Sequence, residues 1–507
     1  MASLARNTYY NISAFVLNTV LALVAITVLV RGYGLSGYGL ITLARLLLPS
    51  GILGLLEAGF PEVMTRTVAV ARAMSDLDQL ARRLSAACLM AAAIGAFAAA
   101  LLTLFTNEII ELVFHSAIAS REDLQSLILV SALSLPLQLV GSVLRGAFEG
   151  SERFALVRGV EVLSNTIYLA VVAIMLLGYN TTSVDAALAY VWIWNARSAL
   201  YFGLVLFGIR TEISFGTRDI WSGAGDFFGH AMQLFSNKFF SMLLNFGPSI
   251  VLGVFSTVAT VGSYEIVMRI PKVLKTVSGM FNGALLPFAA RADAIGDHAS
   301  ARRVVEDGTT LVVSLVTVLS AVVMIFSADL LHYWLGIVDS ELAIYLRVAL
   351  VWPILVATLG IGSTMLLSRR EAAASINRLS MITTLCYFML AVGLYRWLDW
   401  RAFVLALVIS QLLTVPAYWR LLRREYNIEL GSWLVFSAKL VVIVSVGFLL
   451  NSVTRSIVLV DGLFMLMIEA ATAALIMGVG IHFLALPHNV RQASEDFLQR
   501  CVSRLWR

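Results

Sequence analysis

The sequence predicts an all-α polytopic membrane protein of about fourteen transmembrane helices, and three observations carry that expectation. The first is composition. Of 507 residues, 60% are hydrophobic and 13% charged, against roughly 25% charged in ordinary soluble domains. Such a chain has too few polar groups to cover its own surface, so lipid must be part of its solvent. The second is the recurrence of apolar runs of span length. The third is the alternation of basic residues from one loop to the next.

About 20 mostly apolar residues are needed to cross the hydrocarbon. Runs of that kind fall near residues 11–30, 38–60, 84–105, 125–147, 157–178, 185–208, 228–254, 263–289, 309–327, 341–367, 375–395, 402–419, 433–450 and 462–484. The first run, Asn11 to Val30, is as long as a full span. It ends without a small-residue cleavage site, so it reads as a retained helix rather than a signal peptide. Loops between spans are short and leave no room for an extramembrane catalytic or receptor domain.

Orientation follows from the basic residues. With the N-terminus inside, 23 of the 36 Lys and Arg fall in inner loops and tails, 5 in outer loops, and 8 within spans. A missed span midway would destroy this regularity, so both termini are expected in the cytoplasm. The net charge of +5 is spread over many loops, which argues against a nucleic-acid partner. Cys88, Cys386 and Cys501 are too far apart in sequence for a disulfide framework or metal-ligand spacing. No cofactor is expected, and no Gly-x-x-x-x-Gly-Lys-[Ser/Thr] loop for ATP occurs.

A weak duplication at an offset of 226 residues divides the chain. Asn11 matches Asn237, Gly37–Tyr38 aligns with Ser263–Tyr264, and Pro61 matches Pro287. Each proline reads as closing a long span, and an arginine follows, Arg66 or Arg291. The pairs Arg82–Arg83 and Arg302–Arg303 come next. An even offset of six helices keeps both copies in one orientation, so the reading is two six-helix bundles in parallel pseudo-two-fold repeat plus a C-terminal helix pair. The expected divisions are 1–210, 226–421, the pair 433–484, and an amphipathic cytoplasmic tail 487–507. In that tail Val490, Phe497, Cys501 and Leu505 recur at helical spacing, with Arg491, Arg500 and Arg504 among polar neighbours.

Ionisable groups inside a span cost about 2.5–3.5 kcal/mol each on insertion scales, so they tend to face a cavity or a partner. In the eighth span Glu265, Arg269, Lys272 and Lys275 are spaced by four, three and three residues and share a helical face. Gly279 and Gly283 continue it, and Pro271 frees the carbonyl of Val267. Lys272 lies about 14 Å in from the outer side, and Arg45 of the second span about 10–12 Å. Lys238 in the seventh span and Arg197 in the sixth fall near mid-depth. If spans two and eight are equivalent, Arg45, Arg269 and Lys272 converge on a cationic cavity, with Lys238 and Arg197 as further candidates. Lys275, Arg347 and Lys439 read at least as well as snorkelling or structurally paired groups. Glu57, Glu161, Glu265 and Glu469 are candidate counter-charges or sites for a coupling ion. A cationic path implies an anionic cargo, and arginine's planar fork suits a diphosphate.

Arg31–Gly32, Gly37–Tyr38–Gly39 and Glu57–Ala58–Gly59 lie in a first stretch, Asn7 to Arg72. Gly262–Ser263–Tyr264, Arg269, Leu286–Pro287 and Gly296–Asp297 lie in a second, Val261 to Asp297. Both resemble the polysaccharide-unit exporters and lipid-linked oligosaccharide flippases of the multidrug/oligosaccharidyl-lipid/polysaccharide superfamily. Fourteen spans with an extra C-terminal pair look most like lipid II flippases and some polysaccharide exporters. The resemblance implies a V-shaped bundle alternating between inward- and outward-open states, with Arg45, Arg269 and Lys272 holding a substrate diphosphate. It implies a transporter of a polyprenyl-diphosphate-linked oligosaccharide in a bacterial or archaeal cytoplasmic membrane, not an enzyme. Its partners would be membrane lipids and, beside it, a glycan polymerase and assembly proteins. The alternatives are a cation-coupled drug antiporter, for which cavity carboxylates rather than basic groups are expected, and a glycan polymerase, which needs a long outer loop.

Overall fold

The computed structural model describes residues 2–495 except 58, 75, 118, 179–180, 209–214, 217–223, 295–297, 368–369, 458–461, 489 and 493–494. Among the described residues there are helices and no strands. Ten helices among the described residues are long and apolar enough to cross a membrane by length and composition. By packing, the chain falls into two compact units, Met1–Glu265 and Ile266–Arg507.

The first unit contains α1 (Ala2–Leu46), α2 (Phe60–Met74), α3 (Leu77–Leu104), α4 (Thr106–Val113), α5 (Arg121–Gly150), α6 (Phe154–Gly178), α7 (Ser183–Leu206) and α8 (Ala224–Phe255). It also holds the start of α9 (Val258–Ala294), which the unit boundary divides. α8 packs against α1, α2, α3 and α4. Where loop meets helix, side chains satisfy free amides. Ser120 accepts from the Asp123 amide at 3.1 Å, and Thr182 with Asp185 forms a capping box.

Each of the fourteen expected spans falls on helix; the ninth and tenth are interrupted at single residues, Phe326 and Leu350, and the second over a longer stretch. α1 is two helices joined at a kink at Gly34 (φ 71°), inside the expected 31–37 loop, and it is the second of them that is cut short. It stops at Leu46, and a 3-10 turn, Ile52–Glu57, precedes α2. Pro49 is the cause: it has no amide to offer the Arg45 carbonyl and its ring crowds that oxygen. The Leu48 amide bonds Arg45 instead, at 3.3 Å, and the Gly51 amide bonds Leu48 at 2.9 Å. A Cβ on Gly51 would sit 2.5 Å from the Arg45 oxygen, so the fold-back needs glycine there. Pro61 therefore does not close a span. It lies in the first turn of α2, where a missing amide costs nothing, and α9 likewise runs past Pro287 to Ala294.

The core of this unit joins α2, α3, α5 and α7 through Phe60, Met64, Leu84, Leu144, Phe148 and Tyr201. α2 and α5 approach most closely at Gly146, where a Cβ would fall 2.3 Å from the Pro61 carbonyl oxygen. Thr65 Oγ1 bridges the two helices, donating to the carbonyls of Pro61 at 2.9 Å and Gly146 at 3.0 Å. Gly146→Val is expected to destabilise the protein by at least about 1–3 kcal/mol through overpacking, visible as a lowered unfolding temperature in detergent. An unchanged midpoint would show that the helices separate freely.

The second unit continues with α10 (His298–Ile325), α11 (Ser327–Leu335), α12 (Ser340–Ala349), α13 (Val351–Leu367), α14 (Arg370–Leu398), α15 (Arg401–Tyr426), α16 (Leu430–Ile457) and α17 (Leu463–Gly480). The last two helices share its main core, in which Val316, Ala357, Leu422, Trp433, Phe436 and Met477 meet. A short π-helical turn, Ile481–Ala485, follows. Of the expected tail, Arg491 folds back to donate to the Phe483 carbonyl at 2.8 Å, while Phe497, Arg500, Cys501, Arg504 and Leu505 lie outside the described residues. In each unit one long helix breaks into a short one. α3 breaks at Phe105 (φ −100°, ψ 24°) into short α4, and α10 breaks at Phe326 (φ −96°, ψ 15°) into short α11.

Candidate functional site

The first unit sorts its intramembrane arginines into two kinds. Near one end of α6, Arg158 is paired: its Nη2 lies 3.2 Å from Glu149, its Nη1 2.8 Å from Glu161, and its Nε donates to Asn11 at 2.8 Å. These three acceptors belong to α5, α6 and α1, so one guanidinium ties three helices. Arg145 lies within electrostatic reach of Glu57, Glu149 and Glu161. The structure places both on helices; Arg158 is ion-paired, whereas Arg145 has no ion pair among the described residues and its Nε is buried without a hydrogen-bond partner.

Arg45 and Arg197 are of the other kind. Arg45 ends the helix before the break in the second span, on the helix terminus that favours a cation. Its guanidinium lies 4.5 Å from the centre of the Tyr190 ring, and its Nη2 donates to the Tyr190 hydroxyl at 3.3 Å. Tyr190 packs at 5.4 Å on Trp194 and, edge-on, at 5.2 Å on Tyr168. The Arg197 guanidinium covers Trp194 at 3.5 Å. Tyr190, Trp194 and Arg197 are spaced by four and three residues, so they share one face of α7. The four side chains form a ladder with a cation at each end.

Neither end has an ion pair among the described residues, and Arg197 Nε is buried without a hydrogen-bond partner. A ring face returns about 0.5–2 kcal/mol to a cation, less than the insertion cost of each charge. The remainder is available to an incoming anion. α7 is fixed in place by buried polar contacts to α5. Gln138 donates to Asn195 at 2.8 Å, Asn195 donates to Ser134 at 2.6 Å, and Gly141 packs on Ser198.

In the second unit, Arg269 is partly buried on α9, and its Nε has no hydrogen-bond partner among the described residues. One turn further lies Lys272, and Lys275 sits 4.9 Å from the centre of the Trp352 ring. Arg347 donates to Ser327 at 2.7 Å, a structural tie between α12 and α11, and Lys439 is exposed on α16. Lys238 lies on α8, its side chain outside those described. Glu57 ends the 3-10 turn and is buried, and Glu265, equally buried, accepts from Ser249 Oγ at 2.5 Å. No group of three or more His, Cys, Asp or Glu among the described residues is arranged to hold a metal.

Sequence reasoning found Arg45 and Arg197 but not the aromatic rungs between them. Their spacing on α7 was the available signal.

Residues 4–292 match the family described as polysaccharide biosynthesis protein. A Shigella flexneri protein assigned as an O-antigen transporter is 24% identical over 187 residues, 37% of this chain. The chain thus spans 43% of the length of that relative. Among solved structures, lipid II flippase MurJ in an inward closed conformation aligns with a TM-score of 0.72 at 12% identity, over 93% of this chain and 97% of its own. An inward-facing multidrug-resistance MATE transporter aligns at 0.66 and 14% identity, over 81% and 94%. These likenesses give the fold, and the proteins that carry them are transporters and flippases rather than enzymes.

Proposed function

For a chain that belongs to the polysaccharide biosynthesis protein family and has the fold of multidrug/oligosaccharidyl-lipid/polysaccharide transporters, we propose the transport of a polyprenyl-diphosphate-linked oligosaccharide. The glycan moves from the cytoplasmic to the outer leaflet by alternating access. The observation that carries this reading is the contrast between the offset and the free arginines. Arg158 satisfies carboxylates and holds helices together. Arg45, Arg197 and Arg269 are half-buried cations without an ion pair among the described residues, as a protein with an anionic cargo requires. Lys238 in the first unit and Lys272 in the second are further candidate contacts for the diphosphate, each taken within its own unit.

Alternation of basic residues supports cytoplasmic N- and C-termini in a bacterial or archaeal cytoplasmic membrane. A glycan polymerase and assembly proteins are the proposed neighbours, since they consume the exported unit. The test is a deletion strain. Mass spectrometry of its lipid extract is expected to reveal a polyprenyl-diphosphate glycan that disappears on complementation. A second reading, cation-coupled antiport of small molecules, draws on the MATE likeness and on the buried carboxylates Glu57 and Glu265. An extract without such a species, together with sensitivity of the strain to cationic dyes, would favour it.

A further inference from the structure

We propose that the ladder on α7 is a two-station track, on which the diphosphate is captured at Arg197 and then passed to Arg45. This rests on the transport reading above and adds an order of events to it. The seven residues from Tyr190 to Arg197 span about 10 Å along the helix axis. Arg45 stacks on Tyr190 and Arg197 on Trp194, so the two guanidiniums sit at opposite ends of the aromatic pair. On the proposed track the diphosphate engages one station at a time.

On the proposed topology α7 enters from the outside. Tyr190 then lies about 10 Å below its outer end and Arg197 about 21 Å below it. The outer depth agrees with that expected for Arg45 from its own span. Arg197 is accordingly the station nearer the cytoplasm, and Arg45 the station nearer the outer leaflet.

The rungs suit a handover. A guanidinium lying flat on a ring keeps its N–H edges free for the paired bonds that phosphate accepts. Arg197 shows this directly, since its buried Nε has no acceptor while its face rests 3.5 Å from the centre of the Trp194 ring. Tyr190 adds a hydroxyl at the outer station, already bonded to Arg45. The Ser134–Asn195–Gln138 contacts clamp α7 to α5, so the stations are held by a fixed rail. Two moderate sites in series also solve a release problem. A charged cargo must bind well enough to enter the membrane yet weakly enough to leave it.

The test uses full-length protein in phosphatidylcholine proteoliposomes, with undecaprenyl diphosphate as the transported probe. Arg197→Ala is expected to raise the half-saturating concentration by tenfold or more with the maximal rate within twofold. Arg45→Ala is expected to lower the maximal rate by tenfold or more with half-saturation within twofold. Arg197→Lys and Arg45→Lys keep the charge and should recover part of each defect, which separates lost charge from misfolding. Identical changes in both alanine variants, or no change in either, would overturn the two-station order. Equal competition by added phosphatidylglycerol would assign the arginines to lipid headgroups and also overturn it. A wild-type protein that neither binds nor moves the probe would remove the transport reading itself, and the track with it.

Discussion

Arg269→Ala combined with Lys272→Ala is expected to lower glycan export by at least roughly a hundredfold, while the protein still inserts and purifies as a single species. Hydrogen bonds from a cation are worth about 1.5–3 kcal/mol each, and each 1.4 kcal/mol is about tenfold. Neither side chain belongs to the main hydrophobic core of the second unit, so the fold should tolerate the loss. Leaflet-selective labelling should find the lipid-linked intermediate retained on the cytoplasmic side. Wild-type export by a well-expressed double variant would refute a role for α9 in holding the diphosphate.

Arg158→Ala is expected to act in the opposite way, on folding before transport. It strands Glu149 and Glu161, both mostly buried, and removes the bond to Asn11. Breaking a buried pair from one side costs about 3–5 kcal/mol. Yield and unfolding temperature in detergent should fall together. Arg158→Met with Glu149→Gln and Glu161→Gln removes the stranded charges and should recover much of that stability. If Arg158→Ala purifies with an unchanged unfolding midpoint, the cluster is not what joins α1, α5 and α6.

The paired predictions show which parts of the site were legible in the sequence. Apolar length revealed the spans, because lipid leaves a helix no other composition. Depth along a span then singled out Arg45, Arg197 and Arg269. What sequence position could not separate was a cation held by carboxylates from one without an ion pair. Arg158 meets Glu149, Glu161 and Asn11 from three helices, and only Glu161 is near it in sequence. The Arg45–Tyr190 contact likewise joins residues 145 apart. The interruption of the second span was written more locally, in Pro49, Gly51, Gly54 and Gly59. The apolar residues among them made the segment look like continuous helix, and its consequence for Arg45 became visible only with the backbone.

The helices that carry the charged groups also differ in how they can enter the bilayer during synthesis. Among the described residues, α7 and α9 are not in the set of helices apolar enough to cross by composition. Emerging alone from the translocon, α7 would bring Asn195 and Arg197 into lipid with nothing to receive them. It needs α5 already in place to accept Asn195, and Tyr190 needs α1 to present Arg45. Insertion of the first unit is therefore a cooperative act, with earlier helices serving as solvent for a later one. The residues that make the path polar also oblige the chain to assemble it in order.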